Sequence, residues 1–362
     1  MLSFLLRRFV TIAASALVLT FIVFALTNLA PNLEKLAKGQ GSARMSDAEV
    51  VSWLAGNGYD RPMLARYGEW LGVVPGWTAT DDSGAVVRGR CIDNTADRED
   101  PPSFCGVFQG DWGWSTRFRG PVSEILADRL AATGKLMFWV MLVMVPSALL
   151  LGVLAGMREG SRTDRTLSTV AIASTSTPEY VMGVLLIAML ASSQVGVSPL
   201  LKEWGLLDAP VLFQGNARSA VDGATFWNLS LPVLTVALYG MGYIARMTRA
   251  SMTEVMTQQY IRTARLKGVP FRTVVMKHAL RNALIAPFTV IMLQFPWLLN
   301  GVVITEVLFS YPGFGWTLVE AAGNNDIELL LASSVVAVVL VLATQLISDI
   351  GYVWLNPRIR IS

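Results

Sequence analysis

The sequence predicts an all-α integral membrane protein with six membrane-spanning helices. Three observations carry that prediction. First, 53% of the residues are hydrophobic and only 15% are charged, whereas soluble domains carry about 25% charged residues. Second, six segments approach the ~20 mostly apolar residues that a span requires: 9–30, 134–157, 167–191, 229–247, 283–307 and 329–355. Third, the cations of the short loops sort to one side. Arg7 and Arg8 precede the first span, Arg158, Arg162 and Arg165 lie between the second and third, a basic stretch separates the fourth from the fifth, and Arg358 and Arg360 follow the sixth. The positive-inside rule assigns that face, and both termini, to the cytoplasm. The last loop on the opposite face, 310–328, carries Glu320, Asp326 and Glu328 and no Lys or Arg.

In chain order, the start MLSFLLRRFV and the apolar run behind it have the outline of a signal peptide. The run is about long enough to span, and no small-residue cleavage site follows Pro31, so it reads as a retained first span. The loop 31–133 is too long to count for the charge rule. Within it, Ser46 and Glu49 have capping-box spacing before a short helix that ends near Gly56, and Pro62 to Leu71 reads as a second helix. The stretch 75–109 is rich in Gly, Asp, Pro and Arg and contains both cysteines of the chain, Cys91 and Cys105. On this topology it faces an oxidising compartment, so a disulfide is expected, with two unlinked thiols as the alternative. Val122, Ile125, Leu126 and Leu130 follow helical spacing, which predicts an amphipathic helix on the outer membrane surface ahead of the second span. Trp112 and Trp114 suit interfacial anchoring there.

Within the second span Gly152 and Gly156 form a G-x-x-x-G, a pattern that lets helix backbones approach closely. Met137, Met141 and Met144 make a stripe at helical spacing that ordinary packing explains. The third span is interrupted by STSTPEYVMG. Pro178 breaks a helix, and the freed backbone groups must face protein or a water-filled cavity. Glu179 beside it is an ionisable residue at membrane depth, serving a pathway or pairing with a neighbouring helix. Pro296, in LQFPWLLNG, is positioned to kink the fifth span around a pore. The Pro-Gly-Phe-Gly-Trp run contributes Phe314 and Trp316 to a turn at the outer mouth. Pro178, Glu179, Pro296, Phe314 and Trp316 are thus the candidate lining of a translocation path. Asn356 and Pro357 end the last helix.

The stretch 254–287 is different in kind. It holds Arg262, Arg265, Lys267, Arg272, Lys277 and Arg281 against one acidic residue, Glu254. Gln259 to Lys267 is a good helix former, Gly268 supplies a left-handed stop, and Pro270 suits the first turn of a new helix. The result is a cationic helix–Gly–helix elbow at the cytoplasmic face, shaped to be pushed by another protein.

The wording YIRTARLKG…KHALRNAL resembles the EAA loop of permease subunits of bacterial ABC importers, in particular the oligopeptide/dipeptide/nickel branch. Thr263, Ala264 and Gly268 fall on its A-A-x-x-x-G positions, and Arg262 stands where many members have Glu. The likeness extends through GYDRPMLARYGEWLGVV, GDWGWSTRFRGPVSEILADRL, the PGFGW run and DIGYVWLNPRIRIS, leaving out 75–109. It implies the type I ABC importer permease fold in the bacterial inner membrane. Residues 1–30 would be the cytoplasmic N-terminus and first span, 31–133 a periplasmic loop with an insertion at 75–109, and 134–362 the core with its coupling loop at 254–282. Implied partners are membrane lipid, a second similar permease subunit, two cytoplasmic ATPase subunits or domains, and a periplasmic solute-binding protein. The helix bearing Tyr260, Arg262, Thr263, Ala264, Lys267 and Gly268 would dock in a groove of the ATPase, with Ala264 and Gly268 permitting close approach. The implied cargo is di- or oligopeptides, with nickel, oligosaccharides and opine-like compounds as alternatives. The insertion serves either as a surface flap or as a contact surface for the binding protein.

Several function classes find no support. There is no G-x-x-x-x-G-K-[ST] phosphate loop, so ATP and Mg belong to the partner. One histidine, His278, and two outer cysteines supply neither a metal-ligand set nor a nucleophilic triad, and no paired carboxylates suggest an enzyme. The net charge of +3 is small and says nothing about nucleic acid, and no basic run has the aromatic interleaving of a single-strand binder, so no nucleic-acid partner is expected. An ion-coupled secondary transporter would show pseudo-symmetric halves and several buried charges. A receptor binding its ligand on the outer insertion is a second rival. Dependence of uptake on ATP hydrolysis separates the three.

Overall fold

The computed structural model describes residues 2–80, 86–93 and 102–355. Helices dominate. In order they are α1 (Leu2–Thr27), α2 (Ala30–Gln40), α3 (Asp47–Gly56) and α4 (Met63–Leu71), then a hairpin of β1 (Thr78–Thr80) and β2 (Val86–Gly89), α5 (Arg90–Asp93), and a second strand pair of β3 (Trp114–Ser115) and β4 (Gly120–Pro121). Next come α6 (Val122–Gly156), α7 (Arg162–Ser176), α8 (Glu179–Leu186), α9 (Val197–Glu203) and α10 (Phe226–Met256). The chain continues through α11 (Gln259–Leu266), α12 (Phe271–Thr273), α13 (Leu280–Ala283), α14 (Ile285–Leu308), α15 (Phe314–Gly323) and α16 (Ile327–Leu355). The all-α expectation is therefore corrected by two small antiparallel pairs. The first falls in the 75–109 stretch, where the alternating Thr78–Thr80 segment meets a β-branched Val-Val pair.

Among the described residues four helices are long and apolar enough to cross a membrane: Phe9–Thr27, Val122–Gly156, Phe226–Met256 and Ile327–Ser348. Two bent pairs raise the number to six if each counts as one span. Arg162–Ser176 and Glu179–Ala191 meet at 104°, and Phe271–Ala283 and Ile285–Leu298 at 51°. The sharper bend has the cause foreseen in the sequence: Pro178 lacks an N–H and holds Thr177 extended, at φ −90° and ψ 120°. The shallower bend does not fall at Pro296, which lies inside the uninterrupted helix α14. It falls at Leu284, just past a π-helical stretch at Val274–Ala279, where the extra residue per turn shifts the helix face.

Two other sequence expectations change. The amphipathic surface helix and the second span are one 35-residue helix, α6, because nothing between Leu130 and Lys135 stops it; Gly134 alone costs too little. The sequence reading also passed over α2, which begins one residue before Pro31 and so uses that proline within its first turn. The cationic Arg358 and Arg360, and the Asn356–Pro357 helix end, lie outside the described residues, as do parts of the 75–109 stretch.

The chain divides into two compact units, Met1–Leu130 with Thr317–Leu340, and Ala131–Trp316 with Val341–Ser362. The first unit is built around Phe24, Leu33, Leu36, Trp70, Ile327 and Leu331. Ser46 caps α3 in a reciprocal box with Glu49, as the spacing predicts. Asp326 is buried; its carboxylate accepts from the Ser115 hydroxyl at 2.6 Å and the Arg117 backbone N–H at 3.0 Å, and from the Leu329 N–H at the start of α16. Glu320 pairs with Arg117 and Glu328 with Arg90. A Cys91–Cys105 disulfide, with Cα atoms 5.5 Å apart, lies within the 75–109 stretch.

The second unit is organised on α10. Its contacts with α7 and α14 are the most extensive between helices. Gly152 and Gly156 lie against it so tightly that an added Cβ would sit 2.4 Å from Thr248 Cβ and 2.6 Å from Met252 Cβ, respectively. Lipid tails are as apolar as these side chains, so close van der Waals packing rather than water expulsion holds such helices together. The methionine stripe belongs to this packing, with Met144 fully buried and Met137 and Met141 packed against the cluster.

Candidate functional site

The cationic elbow is a folded object. α10 ends at Met256, α11 follows after two residues, and Gly268 turns the chain at φ +74°, a conformation that favours glycine. Ile261, Ala264, Val274, Val275, Ala279 and Ala283 form a cluster with Met252 of α10. The elbow is therefore fastened to the long helix that precedes it. Tyr260 is half exposed, and its hydroxyl accepts from Nδ2 of Asn282 at 2.8 Å. Phe271 lies under the guanidinium groups of both Arg158 and Arg265, at 5.5 and 5.7 Å.

This arrangement sorts the sequence-selected residues. Arg262, Thr263, Lys267 and Gly268 are exposed. Ala264 is not: it is 9% exposed and turned into the elbow's own cluster. Its small size serves the elbow's internal packing. The sequence reading missed Leu266, which is 80% exposed at the tip of α11. Helical phase marks it: Gln259, Arg262, Thr263 and Leu266 recur at i, i+3, i+4 and i+7 on the face opposite Ile261 and Ala264. His278 is exposed in the π-helical stretch.

A bidentate ion pair stands at the start of α7. Arg249 of α10 donates through Nε and Nη2 to the buried Asp164 at 2.5 and 2.8 Å. Asp164 also accepts from the Gly160 N–H and the Ser168 hydroxyl. Arg249 lies seven residues before the end of α10, on the helix that leads into the elbow.

The candidate path residues converge on two neighbouring positions of α14. Glu179, 8% exposed, accepts a 2.6 Å hydrogen bond from the Thr305 hydroxyl. The next residue, Glu306, is fully buried. Its carboxylate takes the Thr133 hydroxyl at 2.5 Å and the Trp316 N–H at 3.0 Å, while the Phe314 N–H donates to Thr133 at 2.8 Å. The PGFGW run thus wraps its backbone donors around a buried carboxylate at the start of α15, where the helix end favours negative charge. A Cβ on Gly313 would sit 2.1 Å from Glu306 Oε1. Tyr311 closes the turn by donating its hydroxyl to the Ala132 carbonyl at 2.7 Å. Phe314 and Trp316 are therefore brought to Thr133 and Glu306, and Glu179, next to Pro178, is brought to Thr305. Pro296 is not; the neighbouring Trp297 instead stacks on Tyr239 at 4.9 Å. Glu306 escaped the sequence reading because TEVLFSY was read only as the end of a span; an acid in an apolar run was the available signal.

Among the described residues no group of three or more His, Cys, Asp or Glu is placed to hold a metal ion. The model of the family described as "Binding-protein-dependent transport system inner membrane component" matches residues 148–361, more than half of the chain. The chain belongs to this family. As a binding-protein-dependent transport component of the inner membrane, it is a transport subunit rather than an enzyme. Its full length has counterparts. It is 29% identical to the dipeptide transport system permease protein DppB of Escherichia coli and 30% identical to the di/tripeptide transport system permease protein DppB of Pseudomonas aeruginosa, in each case over 99% of both chains. It is 33% identical to the dipeptide permease protein DppB of Haemophilus influenzae, over 70% of this chain and 78% of that one. A crystal structure of an amino acid ABC transporter with histidines overlaps 64% of this chain and 94% of its own, at 14% identity and a TM-score of 0.46.

Proposed function

We propose that this chain is one permease subunit of an ATP-driven importer of di- and oligopeptides. The observation that carries the reading is the end-to-end likeness to dipeptide and di/tripeptide permease proteins. In this reading each bent pair is one span, giving six, with both termini cytoplasmic and 31–133 in the periplasm. A second similar permease subunit completes the path, a periplasmic binding protein delivers the solute, and two cytoplasmic ATPases bind ATP and Mg.

The elbow is the input. Arg262, Thr263, Leu266 and Lys267 form the face that meets the ATPase, with Leu266 as the apolar anchor inside a cationic rim. Ile261 and Ala264 join that face to α10 through Met252, and the Arg249–Asp164 pair joins α10 to α7. Closure of the ATPases therefore moves α10 and α7 together, as rigid elements with two arrangements. α8, which follows α7 across the Pro178 break, carries Glu179 toward or away from Thr305, and the solute cavity changes its open face.

The test is uptake of a labelled dipeptide by vesicles holding the chain with its ATPases and second permease. Uptake should require ATP hydrolysis and the binding protein. Transport by this chain alone, without any nucleotide-hydrolysing partner, would overturn the reading.

A further inference from the structure

The first unit contains a cavity of about 250 Å³ that the transport reading leaves unused. Its walls include Phe24, Trp53, Tyr59, Trp70 and Trp77, and its charged lining includes Arg61, Arg66, Glu69, Arg90 and Glu328. Arg61 and Glu69 satisfy each other in a bidentate pair. The rest do not. Arg66 is 8% exposed and Trp70 1% exposed, yet Arg66 Nη2 and Trp70 Nε1 have no hydrogen-bond partner. The same holds for Nε and Nη2 of Arg90 and for Oε2 of Glu328. The one link between these last two is a loose pair, Arg90 Nη1 to Glu328 Oε1 at 3.5 Å.

Buried polar groups in folded proteins are almost always partnered. Five orphan atoms on four residues that line one cavity are therefore a pattern that calls for an occupant. Three of the four residues concerned present donors, two of them guanidinium groups suited to gripping a carboxylate through two parallel hydrogen bonds. The fourth presents an acceptor suited to an ammonium group. Burial lowers Arg66 below the ordinary arginine range and pushes the Tyr59 phenol up to about 12. The guanidinium thus sits beside a phenol that stays neutral. Tyr59 already shields Arg66 from one side, with the guanidinium 5.2 Å above its ring, and Trp53 stacks on Tyr59. The volume lies below the ~300–1,000 Å³ usual for ligand clefts, which limits the occupant to the size of an amino acid.

We propose that this cavity is a binding site for a free amino acid with an apolar or aromatic side chain. The carboxylate is held by Arg66 and Arg90, the ammonium group by Glu328, and the side chain lies against the aromatic walls. The site shares no residue with the elbow or with the Glu179–Thr305–Glu306 cluster, so it stands or falls apart from the transport mechanism.

The test uses the full purified chain in phosphatidylcholine nanodiscs, titrated with L-phenylalanine by calorimetry and by tryptophan emission. One saturable site per chain is expected. L-phenylalaninamide, which lacks the carboxylate, should bind about ten- to a hundredfold more weakly, and Arg90→Gln should weaken L-phenylalanine by a similar factor. Glu328→Gln should weaken L-phenylalanine but not N-acetyl-L-phenylalanine, which has no ammonium group. Absence of saturable binding overturns the proposal. So does equal affinity for acid and amide, and so does inorganic phosphate binding as tightly as phenylalanine, the mark of a site for phosphate or a lipid headgroup. If Arg90→Gln fails to fold, the acid-against-amide comparison on the unaltered chain decides.

Discussion

Thr305 donates its hydroxyl to Glu179 at 2.6 Å, and its neighbour Glu306 takes the hydroxyl of Thr133 at 2.5 Å. Two adjacent residues of α14 thus each join a carboxyl–threonine pair, Thr305 with Glu179 of α8 and Glu306 with Thr133 of α6. Thr305→Val keeps the shape and removes the donor, leaving the Glu179 carboxyl without its partner. It should destabilise the protein by about 1–3 kcal/mol, read as a lowered thermal midpoint in nanodiscs. Glu179→Gln combined with Thr305→Val should recover part of that loss, because it removes the stranded acid. Strict additivity of the two changes would argue against the coupling.

The Glu306 cradle makes a sharper prediction. Gly313→Ala places a methyl group where the carboxylate sits, so the turn and the acid cannot both keep their positions. Peptide uptake should be lost, with a drop in stability of about 1–3 kcal/mol from overpacking. Thr133→Ser, which retains the donor, should behave nearly as the unaltered chain. Full uptake by Gly313→Ala would show that the cradle is dispensable.

Leu266 and Ala264 separate docking from folding. Leu266→Glu leaves the elbow's internal packing untouched and should abolish ATP-dependent uptake while the protein stays in the membrane at normal amount. Ala264→Arg forces a long cation into the cluster of Ile261 and Val275 and should lower the amount of protein itself. Immunoblots of membranes beside uptake assays distinguish the two. Normal uptake by Leu266→Glu would remove the docking face from the account.

The Arg249–Asp164 pair is buried on the acid side and 32% exposed on the arginine side. Removing the guanidinium by Arg249→Ala should cost about 1–3 kcal/mol, less than a fully enclosed pair because water reaches the acid once the arginine is gone. Arg249→Lys keeps the charge but loses the fork, and should recover only part of the stability. A double-mutant cycle with Asp164→Ala measures the coupling.

Much of the fold was legible. A span is a composition signal, and the apolar segments of the sequence correspond to α1, α6, the α7–α8 pair, α10, α14 and α16 with boundary shifts of a few residues at most ends. The Pro178 break and the Gly268 stop were legible because each depends on one residue's backbone chemistry. The α6 surface segment was misplaced because the sequence shows periodicity but not whether a neighbouring helix continues it. The π-helical stretch at Val274–Ala279 and the bend at Leu284 had no signal, since no residue there forbids a regular helix. The two-stranded pairs were passed over because a segment of two to four residues is too short for periodicity to register.

The candidate site divides along the same line. The apolar segments, the cationic elbow and the lack of a P-loop motif can all be read from residue order, because hydropathy, charge and fixed-spacing motifs are local properties. Folding, in contrast, is what turns Ala264 inward and Leu266 outward, encloses Glu306 in the PGFGW turn, and sets Arg66, Arg90 and Glu328 around one cavity. Each of those is a meeting of residues far apart in the chain or a choice of helix face, and such choices are made by packing.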